Sequence, residues 1–235
     1  MTKKDRDKIM LAEHILEVRH SASGSFLDVR GYVADYIRNS GLFPHWKINA
    51  NVVNFHDEAN GIKLEGAFAG YKSAGYVAYN PPTRNYFVDR AASYWKTLKA
   101  NTHYQIPEVK RFGVRTKVFM PIKKSFDEIN KAMYENFYTE NARNLIGGKE
   151  TDAQFIIELV EDQFNVRVSG GPIHEDEVSN YFSFTADEFK NCGIFLDLDY
   201  YKDKELSSLD MTELLKKAVE LTWLKAEKIT SGLGF

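Results

Sequence analysis

The stretch Arg111-Phe112-Gly113-Val114-Arg115-Thr116-Lys117-Val118-Phe119-Met120 decides the fold class. Phe112, Val114, Thr116, Val118 and Met120 fall on one side of an extended chain and Arg111, Gly113, Arg115 and Lys117 on the other, because successive side chains of a strand alternate. A helix follows. Ser125 and Glu128 have the spacing of a capping box, and Phe126, Ile129, Ala132, Met133 and Phe137 recur at helical intervals. Further strands are predicted at Ala153–Val160, Phe164–Ser169, Tyr181–Phe184 and Ile194–Tyr200. Asp210 with Glu213 opens a last helix whose Met211, Leu214, Leu215, Ala218, Leu221, Leu224 and Ile229 form its apolar side.

Working back toward the N-terminus, the same order is found. Residues 12–20 read as a strand, with Leu16 and Val18 opposite Glu17 and Arg19. Ser25 can cap a helix, with Asp28 three residues on and a stripe of Phe26, Val29, Val33, Tyr36 and Ile37, which Asn39-Ser40-Gly41 stops. Trp46–Phe55, the region Leu64–Tyr79 and Tyr86–Ala91 read as strands between turns at residues 57–61 and Asn80-Pro81-Pro82. Val18 and Val118, like Ser25-Phe26 and Ser125-Phe126, lie 100 positions apart, and Tyr86-Phe87-Val88-Asp89 resembles Ile194-Phe195-Leu196-Asp197. The expectation is an α+β fold of two similar halves, each a mainly antiparallel sheet with a helix across it, plus a long C-terminal helix. The expected boundaries are an extension at 1–11, a first half at 12–110 and a second at 111–235, forming one body.

Three places, Ile15-Leu16-Glu17-Val18-Arg19, Arg111-Phe112-Gly113-Val114-Arg115 and a last helix ending at Ile229-Thr230, resemble a sporadically distributed bacterial protein family of uncharacterised function. Family members carry an aromatic where this chain has Thr116 and a histidine where it has Lys216 or Lys217. The resemblance implies patchy occurrence, typical of defence or prophage loci, and no assigned chemistry. A second analogy, of topology alone, is to duplicated strand–helix–strand–strand proteins that hold small ligands between their copies.

Composition narrows the function classes. With 235 residues, 31 basic against 33 acidic side chains and 43% hydrophobic residues, the chain is neither disordered nor fibrous. One cysteine, Cys192, makes neither a disulfide framework nor a thiolate cluster, so a reducing, cytoplasmic setting is expected. No apolar run reaches the ~18 residues of a membrane span, and no membrane partner is expected. Charge is uneven along the chain. Residues 84–124 hold ten basic side chains against Asp89 and Glu108, whereas residues 125–210 hold 19 acids and 7 bases. Tyr86, Phe87, Tyr94, Trp95, His103 and Tyr104 are interleaved with the basic block, as on surfaces that bind phosphates by charge and bases by stacking. The block can equally pair with the acidic half.

Arg111, Arg115, Lys117, Arg90, Tyr94 and Trp95 are therefore the candidate ligand-binding residues, with Gly113 leaving backbone open between the two strand arginines. No catalytic residue, cofactor or metal site is expected. Cys192 lies between Asn191 and Gly193 with no histidine near it in sequence. His56-Asp57-Glu58 and His174-Glu175-Asp176-Glu177 read as solvated turns. The leading expectation is a non-enzymatic binding or sensor subunit for a nucleic acid, nucleotide or other anion, with a protein partner or homo-oligomer also open. The alternatives are a small-molecule module with an aromatic cleft between the halves (Tyr71, Tyr76, Tyr79, Tyr86, Tyr94, Trp95) and a metal-dependent phosphodiesterase using Asp197 and Asp199 on one strand face.

Overall fold

The strand at 111–120 is one of nine in the computed structural model, which describes residues 10–206 and 210–235. The chain runs β1 (Leu11–His20), α1 (Phe26–Asn39), β2 (His45–Ile48), β3 (Val52–Glu58), β4 (Gly61–Gly70), β5 (Ser73–Tyr79), α2 (Tyr86–Lys99) and β6 (Val109–Pro121). It continues through α3 (Phe126–Phe137), α4 (Glu140–Ile146), β7 (Phe155–Glu161), β8 (Phe164–Ile173), α5 (Val178–Tyr181), a 3-10 turn (Asp187–Lys190), β9 (Gly193–Lys202) and α6 (Met211–Gly232). The mixed α+β class and the C-terminal helix are as expected. The strands form one sheet, in the order β2-β3-β4-β5-β1-β6-β9-β8-β7, where one sheet per half was expected. Among the described residues, no helix is long and apolar enough to cross a membrane.

Two units divide the chain. His14–Arg115 with Tyr200–Val219 make the first, and Thr116–Asp199 with Glu220–Phe235 and the described residues up to Glu13 make the second. In the first unit β2–β3, β3–β4 and β4–β5 pair antiparallel, α1 packs on β2 and β3, and α2 packs on β5. Its core is a cluster of Phe43, Phe55, Tyr76 and Tyr94, with Phe43 6.1–6.2 Å from the other three rings. Gly75 is needed for close approach: a Cβ there would sit 2.3 Å from the Leu16 carbonyl and 2.5 Å from the ring of Phe68, its cross-strand partner. In the second unit β7 pairs antiparallel with β8, which α3 covers. Leu11, Phe119, Ile173, Val178, Phe182 and Phe189 form its apolar cluster.

Caps and stripes explain where the sequence reading holds and where it fails. The Ser125–Glu128 box is present: the Ser125 hydroxyl accepts from the Glu128 N–H at 3.3 Å, and the Glu128 carboxylate accepts from the Ser125 N–H at 3.0 Å. At Ser25 no side-chain cap forms, its hydroxyl lying 3.1 Å from that of Ser23. Residues 86–91 are helix, not strand. Phe87, Val88, Ala91, Tyr94, Trp95 and Leu98 are buried at helical spacing once Asn80, at a φ of 43°, and the two prolines have ended β5. The expected strand at 181–184 is the end of α5 and the coil after it. Trp46–Phe55 folds back as the β2–β3 hairpin, and the region Leu64–Tyr79 falls within two strands. On α6, Leu224 faces outward at 45% exposure, while Val219, Trp223 and Ala226 turn inward.

Candidate functional site

A cleft of about 620 Å³ opens in the first unit where the end of α1 meets the β2–β3 hairpin. Phe43 positions it: fully buried among Phe55, Tyr76 and Tyr94, it anchors the chain so that Pro44, His45, Trp46 and Lys47 leave along an outermost strand. The hairpin closes where the Asn49 N–H donates to the Val52 carbonyl at 2.8 Å, which sets His45 opposite His56 and Lys47 opposite Asn54. His45, Lys47 and His56 thus share one strand face, because i and i+2 project alike and cross-strand partners lie on the same side. Arg38, from the last turn of α1, and Ala59-Asn60-Gly61 complete the lining. Trp46 is 39% exposed, whereas Trp95 and Trp223 are below 9%.

The electrostatics of the cleft are one-sided. No residue lining it carries a carboxylate. Burial first, then His45 and Lys47, hold the His56 imidazole below its ordinary 6.5, with Asp57 opposing them. The His56 Nδ1 is enclosed and makes no hydrogen bond. Nearby acids are engaged elsewhere. Burial acts to raise the Asp57 carboxyl, but N–H donors from Lys63, Leu64 and Glu65 at 2.8–3.1 Å outweigh it and hold the group low. Glu58 pairs with Lys63 at 3.0 Å, and Asp35 with Arg38 at 3.0 Å, both at the surface, where such pairs contribute little.

The residues singled out in the sequence have other surroundings. Arg90 grips Glu65 with both its Nε and Nη2, and Tyr76 and Tyr86 donate to the same carboxylate, which is 5% exposed. Burial first, and then Glu65, push the Tyr86 phenol up to about 12. Tyr94 is fully enclosed, its hydroxyl donating to the Phe68 carbonyl at 2.8 Å. Trp95 is 7% exposed and lines a second cleft, of about 480 Å³, of mixed charge, with Lys99 and Lys110 beside Glu108, Asp203 and Glu205. Arg111 lies over the Tyr201 ring at 4.4 Å, Arg115 is exposed, and Gly113 between them is buried, so the backbone there is not open. In the second unit, Lys117 donates to Glu13 and to the Tyr181 carbonyl, each at 2.8 Å. Asp197 and Asp199 are half-buried on one side of β9.

Two groupings escaped the sequence reading. The cleft draws on residues 38, 44–47, 56 and 59–61, and its one legible signal was that His45 and His56 stand symmetrically about Asn49-Ala50-Asn51-Val52. The other grouping brings Cys192 to Glu175 and His174, where a histidine near the thiol was not expected. The Cys192 thiol donates to the Glu175 carboxylate at 2.7 Å, and burial first, then Glu175, push it up, away from nucleophilic use. No protein-family model, no curated protein and no solved structure matches the chain.

Proposed function

We propose that this chain is a non-enzymatic binding module for an anion that carries a planar ring, a nucleotide or single-stranded nucleic acid, seated in the cleft of Arg38, His45, Lys47 and His56 against Trp46. One observation carries the reading: Arg38 from α1 and Lys47 from β2, with the imidazoles of His45 and His56, line a cleft whose lining has no carboxylate and to which the half-exposed Trp46 also contributes. Phosphates take the charge, Arg38 by its planar fork and Lys47 as a point charge, and a base takes the face of Trp46. An accessory, phage-defence setting follows from the family resemblance alone. The same reading treats the two strand groups as diverged copies. Its support is the strand order, which from adjacent β1 and β6 runs outward through β5, β4, β3 in one direction and β9, β8, β7 in the other.

Titration with oligothymidylate tests the site, since Trp46 is the accessible indole. Saturable quenching is expected, with affinity falling about 5- to 150-fold in Trp46→Ala, the range for one stacked base. Unchanged affinity in that variant contradicts the reading.

A further inference from the structure

Three donors of different chemistry meet in the second unit: His174 in the turn after β8, Glu175 beside it, and Cys192 just ahead of β9. Their ligand atoms all lie within 4.8 Å of one another. The His174 ring lies flat on Phe126, centroids 3.6 Å apart and planes 10° from parallel, and Phe126 is the first residue of α3, fixed by its capping box. Cys192 is held from the other side, its carbonyl accepting from the Ile122 N–H at 3.0 Å. Glu175 and Cys192 border an open concavity of about 590 Å³. Two of the cations that line it are engaged, Lys124 with Glu128 at 3.1 Å and Lys190 with Asp187 at 2.9 Å.

We propose that His174, Glu175 and Cys192 bind a divalent transition-metal ion of the zinc type. Imidazole nitrogen, carboxylate oxygen and thiolate sulfur are the donors zinc accepts, and three protein ligands leave a fourth position, toward the opening, for water. Magnesium and calcium, which demand more oxygen ligands, do not fit this set. On binding, the Cys192 S–H bond breaks, a sulfur–metal bond forms and the proton passes to the buffer, with no change of oxidation state. The ion would clip together the two ends of the connection that carries α5 and the 3-10 turn, and so raise the stability of the folded chain.

The test is titration of the full, reduced, metal-stripped chain with Co²⁺. A thiolate-to-cobalt charge-transfer band saturating at one ion per chain is expected, displaced by Zn²⁺, and Zn²⁺ should raise the melting temperature. Cys192→Ser should abolish the band, and Cys192→Ser and Glu175→Gln should each weaken Zn²⁺ binding by at least about 100-fold, since even outer-shell partners contribute 10- to 100-fold. His174→Phe keeps a ring on Phe126 without a donor and should do the same in a folded chain. Absence of the band, equal stabilisation by Mg²⁺, or unchanged Zn²⁺ affinity in Cys192→Ser or His174→Phe overturns the proposal.

Discussion

The first unit buries its aromatic rings in polar company and the second in apolar company. In the first, Tyr76, Tyr94 and Tyr104 are all but fully enclosed and each hydroxyl has a partner: Glu65, the Phe68 carbonyl and the Gly70 carbonyl. A carboxylate is sunk among them, gripped by Arg90, and His14 is fully buried, stacked on Phe87 at 4.9 Å. In the second unit Phe119, Phe182, Phe184 and Phe189 pack ring against ring at 5.3–6.5 Å. Both arrangements fill space with rings, but buried polar groups are costly unless every partner is kept. The second unit also buries an ion pair, Lys117 with Glu13, but the first buries the His14 imidazole besides its Arg90–Glu65 pair, so its stability is the one that responds more to proton concentration, and it also carries the cationic cleft.

The largest effect expected is at Glu65. Glu65→Ala strands Arg90 and should cost about 3–5 kcal/mol in denaturant unfolding, whereas Glu65→Met with Arg90→Leu, Tyr76→Phe and Tyr86→Phe should recover most of the loss, because a buried polar cluster replaced whole by apolar groups is near neutral. Phe119→Ala should cost a similar 3–5 kcal/mol through the cavity it leaves, with no partner change that restores it. Equal rescue in both units would break the comparison.

Acid should separate the units next. Burial pushes the His14 imidazole down to about 3, against 6.5 for the free group. The unfolded chain therefore binds a proton that the folded chain refuses, so stability is whole above pH 6.5 and falls as pH drops toward 3. The slope is at most about 1.4 kcal/mol per pH unit, or roughly 2–3 kcal/mol between pH 6.5 and 4.5. His14→Phe should flatten that dependence, and parallel curves for variant and parent would show His14 is not its source. A smaller effect belongs to His56. Held below its ordinary 6.5 by burial first, it gains charge on acidification, so anion affinity should rise a few-fold as pH falls, and His56→Gln should remove the rise.

Alternation and caps were the legible parts of this chain. The ten residues at 111–120 and the Ser125–Glu128 box are local signals, and tertiary packing had nothing to override there. Tyr86-Phe87-Val88-Asp89 was ambiguous because four residues cannot separate period 2 from period 3.6, and only the extension to Tyr94, Trp95 and Leu98 decides for a helix. Arg90 and Tyr94 looked free because their partners, Glu65 and the Phe68 carbonyl, lie 25 and 26 positions away. The cleft was illegible for the same reason, as was the meeting of His174 with Cys192, since neither arises from spacing along one element.

The central claim is that anions are read by the β2–β3 cleft and not by the arginines of β6. The measurement that tests it is the salt dependence of oligothymidylate affinity, by anisotropy at pH 7, for the parent chain, for Arg38→Ala with Lys47→Ala, and for Arg111→Ala with Arg115→Ala. Each lost phosphate contact on a single strand should flatten the log–log slope by about 0.7, so the cleft pair should lose about 1.4 while the β6 pair keeps the parental slope. A flattened slope in the β6 pair, with the cleft pair unchanged, would contradict the account.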